Sequence, residues 1–293
     1  MALLNRGHSA HVMRSLLELE AFAPIADNLR SVSEELATSD AVTFLIPPSP
    51  TGAVASAFLE AAMLDTGIAY HRRFAPRQVS SPCIEIVEGK ASDMPAECRL
   101  NPINLSLTPF FSVGLRGHDG APHRGILSTV AQAAALAELI SPDGKRTRSL
   151  RPWLLAGNWW GDALDQGYDP VYSSLRDHLR EEGVVRVVPL PEVESPNLSG
   201  LKELDKEREV STRESWPSLD AEGKAHAIST LVMPQVLSDK TATSRLEELV
   251  WHRIIVSNSA IDLHSNMTTL RSQWDGSPST SAEMIESLLA NTL

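Results

Sequence analysis

Ala41-Val42-Thr43-Phe44-Leu45-Ile46, then Pro47-Pro48-Ser49-Pro50-Thr51-Gly52, then residues 52–65 (GAVASAFLEAAMLD) decide how the chain is read. The first six residues form a short continuous apolar run, as a strand of a buried parallel sheet requires. Residues 52–65 are rich in alanine and long apolar side chains, so they read as a helix, which Gly67 ends. A second strand is expected over 68–74, which completes a β-loop-α-β unit.

Upstream, residues 8–37 read as two helices that part near Ala23-Pro24. Downstream, extended segments fit 83–87 (CIEIV) and 98–105, and a helix fits 126–140. Residues 151–164 (RPWLLAGNWWGDAL) are apolar, with Pro152 suited to a helix start. Residues 170–182 form an amphipathic helix stopped by Gly183, and 184–188 a strand. Strands alternating with helices predict an α/β fold around a parallel sheet.

From 192 to 215 the chain turns polar and charged and reads as a linker. Beyond it, 220–236, 242–259 and 282–293 are expected to be helices, with Gly276-Ser277-Pro278-Ser279 breaking the last two apart. The expected organisation is therefore N-terminal helices at 1–37, an α/β domain at 38–191, a linker at 192–215 and an all-helical segment at 216–293.

With 293 residues the chain can bury a large apolar core without covalent staples. Cys83 and Cys98 lie in apolar stretches with no second pair to build a zinc site, so a reduced intracellular protein is the natural reading, and a Cys83–Cys98 disulfide its alternative. No uninterrupted run of about 18 apolar residues occurs. Arg6, His8, His11 and Arg14 interrupt the N-terminus where a signal peptide would be apolar, so a soluble, cytoplasmic protein with no membrane contact is expected.

The formal net charge of −11 opposes free association with a phosphate backbone. Basic clusters stand at Arg72-Arg73 with Arg77, at Lys145-Arg146-Arg148-Arg151, and at Arg116 with His118, His123 and Arg124. They read as solvated surface or, for Arg72, Arg73 and Arg77, as a candidate nucleic-acid contact.

A buried strand, a tight loop with a glycine and a small-residue helix open several phosphate-handling folds, because a helix start offers unpaired N–H groups to an anion. The order of later segments resembles the DHH phosphoesterase superfamily, in particular the archaeal RecJ-like proteins related to Cdc45. In that family the first strand runs into a His-x-Asp-x-Asp-Gly loop. Here Pro48-Ser49-Pro50-Thr51-Gly52 stands there, and only the glycine and the small residues 53–56 match. The second family aspartate should fall near Val87, with Glu88 one position off. The Asp-His-His triplet is absent, and Arg99-Leu100-Asn101-Pro102 is similar to the family's Asn-Pro strand. The segment Ala156-Gly157-Asn158-Trp159-Trp160-Gly161-Asp162 resembles the family's Ala-Gly-x-x-Gly-Asp helix, which supplies a metal-binding aspartate. The family's C-terminal substrate-binding domain has no counterpart.

What the resemblance implies is a metal site reduced to one acid, Asp162, with Pro48, Ser49, Thr51 and Gly52 as vestigial motif positions. Two-metal hydrolysis needs several carboxylates and histidines converging on ions about 3.5–4 Å apart, which neutral groups cannot supply. The expectation is no cofactor and a catalytically inactive binding or scaffold subunit in DNA replication or repair, with the GINS complex and the MCM helicase as partners implied by the resemblance.

An alternative is an active manganese- or magnesium-dependent exonuclease or nucleotide phosphoesterase, using Asp162 with His118, Asp119 and His123 of Arg116-Gly117-His118-Asp119-Gly120. Against it, the glycines and Pro122 make that stretch a turn. A third reading is a phosphate- or nucleotide-binding module at Thr51, Gly52 and Ala53. Trp159 and Trp160 read as core or as an exposed platform for bases.

Overall fold

A computed structural model describes residues 14–74, 79, 82–198, 204–238, 241–257, 259 and 261–290. In chain order the elements are α1 (Ala26–Leu36), β1 (Ala41–Leu45), α2 (Pro50–Thr66), β2 (Ala69–Arg73), β3 (Cys83–Ile86), β4 (Cys98–Leu100), β5 (Ile103–Leu107), β6 (Phe110–Arg116), β7 (Pro122–Leu127), α3 (Thr129–Ile140), α4 (Lys145–Leu150), α5 (Ala156–Trp160), α6 (Ala163–Gln166), α7 (Pro170–Glu181), β8 (Val185–Val188), α8 (Lys206–Ser215), α9 (Ala221–Ser238), α10 (Thr243–Val250), β9 (Arg253–Val256), α11 (Leu263–Ser272) and α12 (Pro278–Leu289).

The fold is mixed α/β. Five strands form one sheet in the order β2-β1-β3-β5-β4, parallel except for β4, which runs antiparallel to β5 at the edge. The expected unit is present: β1 feeds α2, Gly67 ends that helix in the left-handed region at φ 76°, and β2 returns beside β1. Every side chain of α2 from Gly52 to Met63 is buried, which is why its sequence shows no polar stripe. It packs on α3, α12 and α4 as well as β2 and β3.

Several expectations are corrected. Residues 98–105 are not one strand: Asn101-Pro102 turns the chain, so the stretch resembling the family's Asn-Pro strand is a hairpin corner. Of the first N-terminal helix, residues 8–13 lie outside the described residues. The rest is two 3₁₀ turns, Leu16–Glu18 and Glu20–Phe22, separated by Leu19 in an extended conformation. Residues 126 and 127 end β7 rather than start a helix, and Ser128 caps α3 instead. The 151–164 stretch is a 3₁₀ turn, then α5, then a break at Gly161, whose extended backbone stops the helix before Asp162.

The segment after 216 is not all helical. Within 242–259 the helix stops at Val250 and β9 follows, pairing antiparallel with β8 from before the polar stretch. The polar stretch itself carries α8, none of whose residues is buried. Cys83 and Cys98 are both free, on strands with β5 between them, so no disulfide links them. Among the described residues no helix is long and apolar enough to cross a membrane.

Gly52 sits where α2 starts under the preceding loop. A Cβ there would lie 2.3 Å from the Pro47 carbonyl oxygen, so any side chain must displace backbone. Gly52→Ala is expected to destabilise by about 1–3 kcal/mol, read as a lowered urea midpoint at unchanged slope. An unshifted midpoint would show that the loop yields freely.

Candidate functional site

A cavity of about 990 Å³ opens at the carboxyl ends of β1, β3 and β5, where open α/β sheets bind ligands. Its walls are the start of α2, the loop after β3, the β6–β7 ribbon and the chain from α5 to the start of α7. Thr51, Glu88 and Asp162 all face it, so the fold gathers positions distant in sequence around one groove.

At the floor, the loop after β1 commits Ser49 to the start of α2 and to the loop after β3. Ser49 caps α2, its Oγ accepting from Gly52 N at 2.9 Å and donating to Glu88 Oε1 at 2.5 Å. The Ala53 N–H donates to the Ser49 carbonyl at 2.9 Å, and the Ala53 side chain is fully buried. Of the candidate phosphate cradle at Thr51, Gly52 and Ala53, two amides are therefore already occupied. Pro48 and Pro50 contribute no N–H at all.

Asp162 stands exposed at the turn between α5 and α6, and its side chain caps neither. Behind it lies a buried support. Asp169 caps α7, its Oδ1 accepting from Val171 N at 3.0 Å and Tyr172 N at 3.3 Å, while Asn158 Nδ2 donates to its Oδ2 at 2.8 Å and to the Ile126 carbonyl at 2.6 Å. Burial raises the Asp169 carboxyl above its usual range against these hydrogen bonds. Gly157 lets α5 meet the start of α3, since a Cβ there would lie 2.5 Å from Ser128 Oγ. The Ala-Gly of the motif thus packs helices, and its Asp faces the groove.

The rim has a different chemistry. Lys90 and Arg124 line it with Phe111 and Tyr168. Arg124 lies 5.9 Å over the Phe111 ring and donates to the carbonyls of Phe111 at 2.9 Å and Asp93 at 3.3 Å, with the Asp93 carboxylate 3.8 Å away, so this rim cation is partly neutralised. Sequence reading singled out neither Lys90 nor Asp169. Asp169 had a signal, an acid directly before a helix-starting proline, but its tie to Asn158 is a long-range contact with no local trace.

His118 and Asp119 occupy the exposed turn of the ribbon and His123 follows on β7. Asp119 Oδ1 accepts from Ala121 N at 3.0 Å, and Arg116 pairs with Glu20. Among the described residues no group of three or more His, Cys, Asp or Glu side chains could hold a metal ion, so His118, Asp119, His123 and Asp162 are not gathered into a ligand set. The groove's own carboxylates do not fit a manganese or magnesium pair either. Glu88 accepts from Ser49, Asp169 is buried as a helix cap, and among the described residues Asp162 belongs to no group of three or more His, Cys, Asp or Glu side chains.

Of the candidate nucleic-acid cations, Arg72 is committed to the interior. Its Nε and Nη2 donate to Glu60 Oε1 and Oε2 at 2.7 and 2.6 Å, and the Glu60 side chain is fully buried. Glu60 also accepts from Ser56 at 2.7 Å, and burial, with Glu60 beside it, pushes the Tyr70 phenol pKa up to about 12. Arg73 is exposed beside it, and Arg77 lies outside the described residues. Trp159 and Trp160 are core, with the Trp160 Nε1 donating to the Met267 carbonyl at 3.1 Å, so neither is a platform for bases.

Compared with known proteins, the chain matches no family model and no curated relative.

Removing one partner of a buried ion pair strands the other, so Glu60→Ala is expected to cost about 3–5 kcal/mol of unfolding free energy in a urea titration. A loss below about 1 kcal/mol would mean Arg72 swings to solvent at no penalty.

Proposed function

We propose that the chain is a DHH-like, RecJ/Cdc45-like protein that has given up two-metal hydrolysis and serves as a binding or scaffold subunit in DNA replication or repair. The observation that carries this reading is the Ser49–Glu88 hydrogen bond across the floor of the groove. At the positions where the family arrays metal ligands, this loop has a helix cap, two prolines and a threonine, and the acid from the loop after β3 is tied to the cap. Asp162 lines the same groove and, among the described residues, belongs to no group of three or more His, Cys, Asp or Glu side chains, which supports this reading. By the same resemblance the partners are GINS and MCM, and the negative net charge suits protein contacts better than free DNA.

The test is a manganese and magnesium titration with single-stranded DNA and dinucleotide substrates. No hydrolysis above the blank is expected, and Asp162→Ala is expected to behave as the parent. Metal-dependent turnover that disappears in Asp162→Ala would overturn the reading.

A second reading, a metal-independent site for a phosphate-bearing ligand, is favoured by Lys90 and Arg124 beside Phe111 on the rim. A ligand held only by the folded state must raise the melting temperature. Nucleoside mono-, di- and triphosphates are expected to do so in the parent and not in Arg124→Ala. Equal shifts in both proteins would count against this site.

A further inference from the structure

The cluster that no role above uses lies behind the groove wall, where the C-terminal elements meet α5. His264, the second residue of α11, has no solvent exposure and stacks on Trp159 with ring centroids 3.8 Å apart and planes 10° from parallel. The Arg245 guanidinium of α10 stands 4.8 Å from the same indole. These elements also hold the wall's backbone. Arg245 Nη1 and Nη2 donate to the carbonyls of Trp159 at 2.8 Å and Gly161 at 3.1 Å, and Arg271 Nη1 to that of Trp160 at 2.8 Å. Carbonyls at a helix end have no partner within the helix, so here the C-terminal segment supplies it. The turn that carries Asp162 is thereby fastened from outside the α/β body.

The charges around His264 are balanced without it. Arg253 of β9 pairs with Asp262, which caps α11 and accepts from the His264 N–H; Arg176 of α7 pairs with Glu248 of α10; Arg245 pairs with Asp165 of α6. His252 holds Glu248 at 3.0 Å, and the Tyr172 hydroxyl of α7 lies 3.1 Å from His264 Nε2. Each arginine has its carboxylate, whereas His264 Nδ1 is buried with no partner. A proton on this ring would be an unpaired charge in a dry site beside three guanidinium groups.

We propose that α10, β9 and α11 form a proton-operated latch on the groove: neutral His264 keeps Trp159 and the carbonyls of 159–161 docked, and its protonation releases the wall and moves Asp162. Burial first, then Arg253, Arg245 and Arg176, hold the His264 pKa well below its ordinary value. The sign follows from linkage. The released state, with an ordinary histidine, binds the proton more tightly, so docking is complete above about pH 6.5 and weakens as the pH falls below it. The latch acts whether or not the groove binds a ligand.

The experiment is hydrogen–deuterium exchange of the full chain at about pH 7.5 and about pH 5, corrected for intrinsic exchange. At the lower pH, opening in peptides over 156–169 and 253–272 is expected to rise about tenfold or more, with α2 unchanged. His264→Phe keeps an aromatic ring in the stack without the titration and is expected to abolish that difference. A parent protein indifferent to pH in those peptides, or a His264→Phe protein that still responds, overturns the latch. Should His264→Phe fail to fold, exchange of the His264 imidazole C2 proton in the parent decides, since its midpoint must coincide with that of wall release and separate midpoints refute the coupling.

Discussion

Close approach of backbone is the constraint on which the groove depends. A Cβ on Gly52 would strike the Pro47 carbonyl, one on Gly157 would strike Ser128, and one on Gly125 would come 2.1 Å from Asp169 Oδ1. At each place a helix start is drawn against a loop, another helix or the β6–β7 ribbon, and the absence of a side chain makes the fit. Unpaired N–H groups at these helix starts are satisfied by side chains. Ser49, Ser128 and Asp169 cap α2, α3 and α7, and Asn158 then ties the Asp169 cap to β7. The groove is the space left among these fastened ends.

Elements with a distinctive local composition or boundary were legible in the sequence. The apolar run of β1, the all-round apolar α2 with its terminal glycine, β2, β3, α7 and α9 lie close to where patterning puts them. The misses have physical causes. β6 and β7 carry Gly114 and Gly125, each closely approached by the start of α7, so alternation is diluted and the sequence marked only the turn between them. Two residues separate the end of α10 from β9, with no glycine or proline between to mark the change, and the pairing with β8 that makes β9 a strand comes from far along the chain. Likewise for the site, Thr51, Glu88 and Asp162 were found by motif position, and the fold does bring them to one cavity. The occupied amides of Gly52 and Ala53, the interior use of Arg72 and the caps behind Asp162 are tertiary facts that no local pattern carries.

An acidic chain here keeps some of its cations inside. Arg72 serves Glu60, Arg151 serves Glu138 and Glu182, Arg176 serves Glu248, Arg245 serves Asp165 and Arg253 serves Asp262. Such pairs add little net stability over apolar packing, because each ion must first leave water. What they supply is geometry: planar guanidinium groups reach several acceptors at fixed angles, as Arg245 does with two carbonyls and a carboxylate.

The pairing of β8 with β9 bears on how the chain can be made. During synthesis the ribosome delivers β8 long before β9, and the carbonyls of Trp159, Trp160 and Gly161 wait still longer for Arg245 and Arg271. Until then β8 offers an open hydrogen-bonding edge and the tryptophan wall lacks its cover. The polar stretch around 192–215 marks no place where a nascent chain has finished folding, since the groove closes only when the last third of the polypeptide arrives.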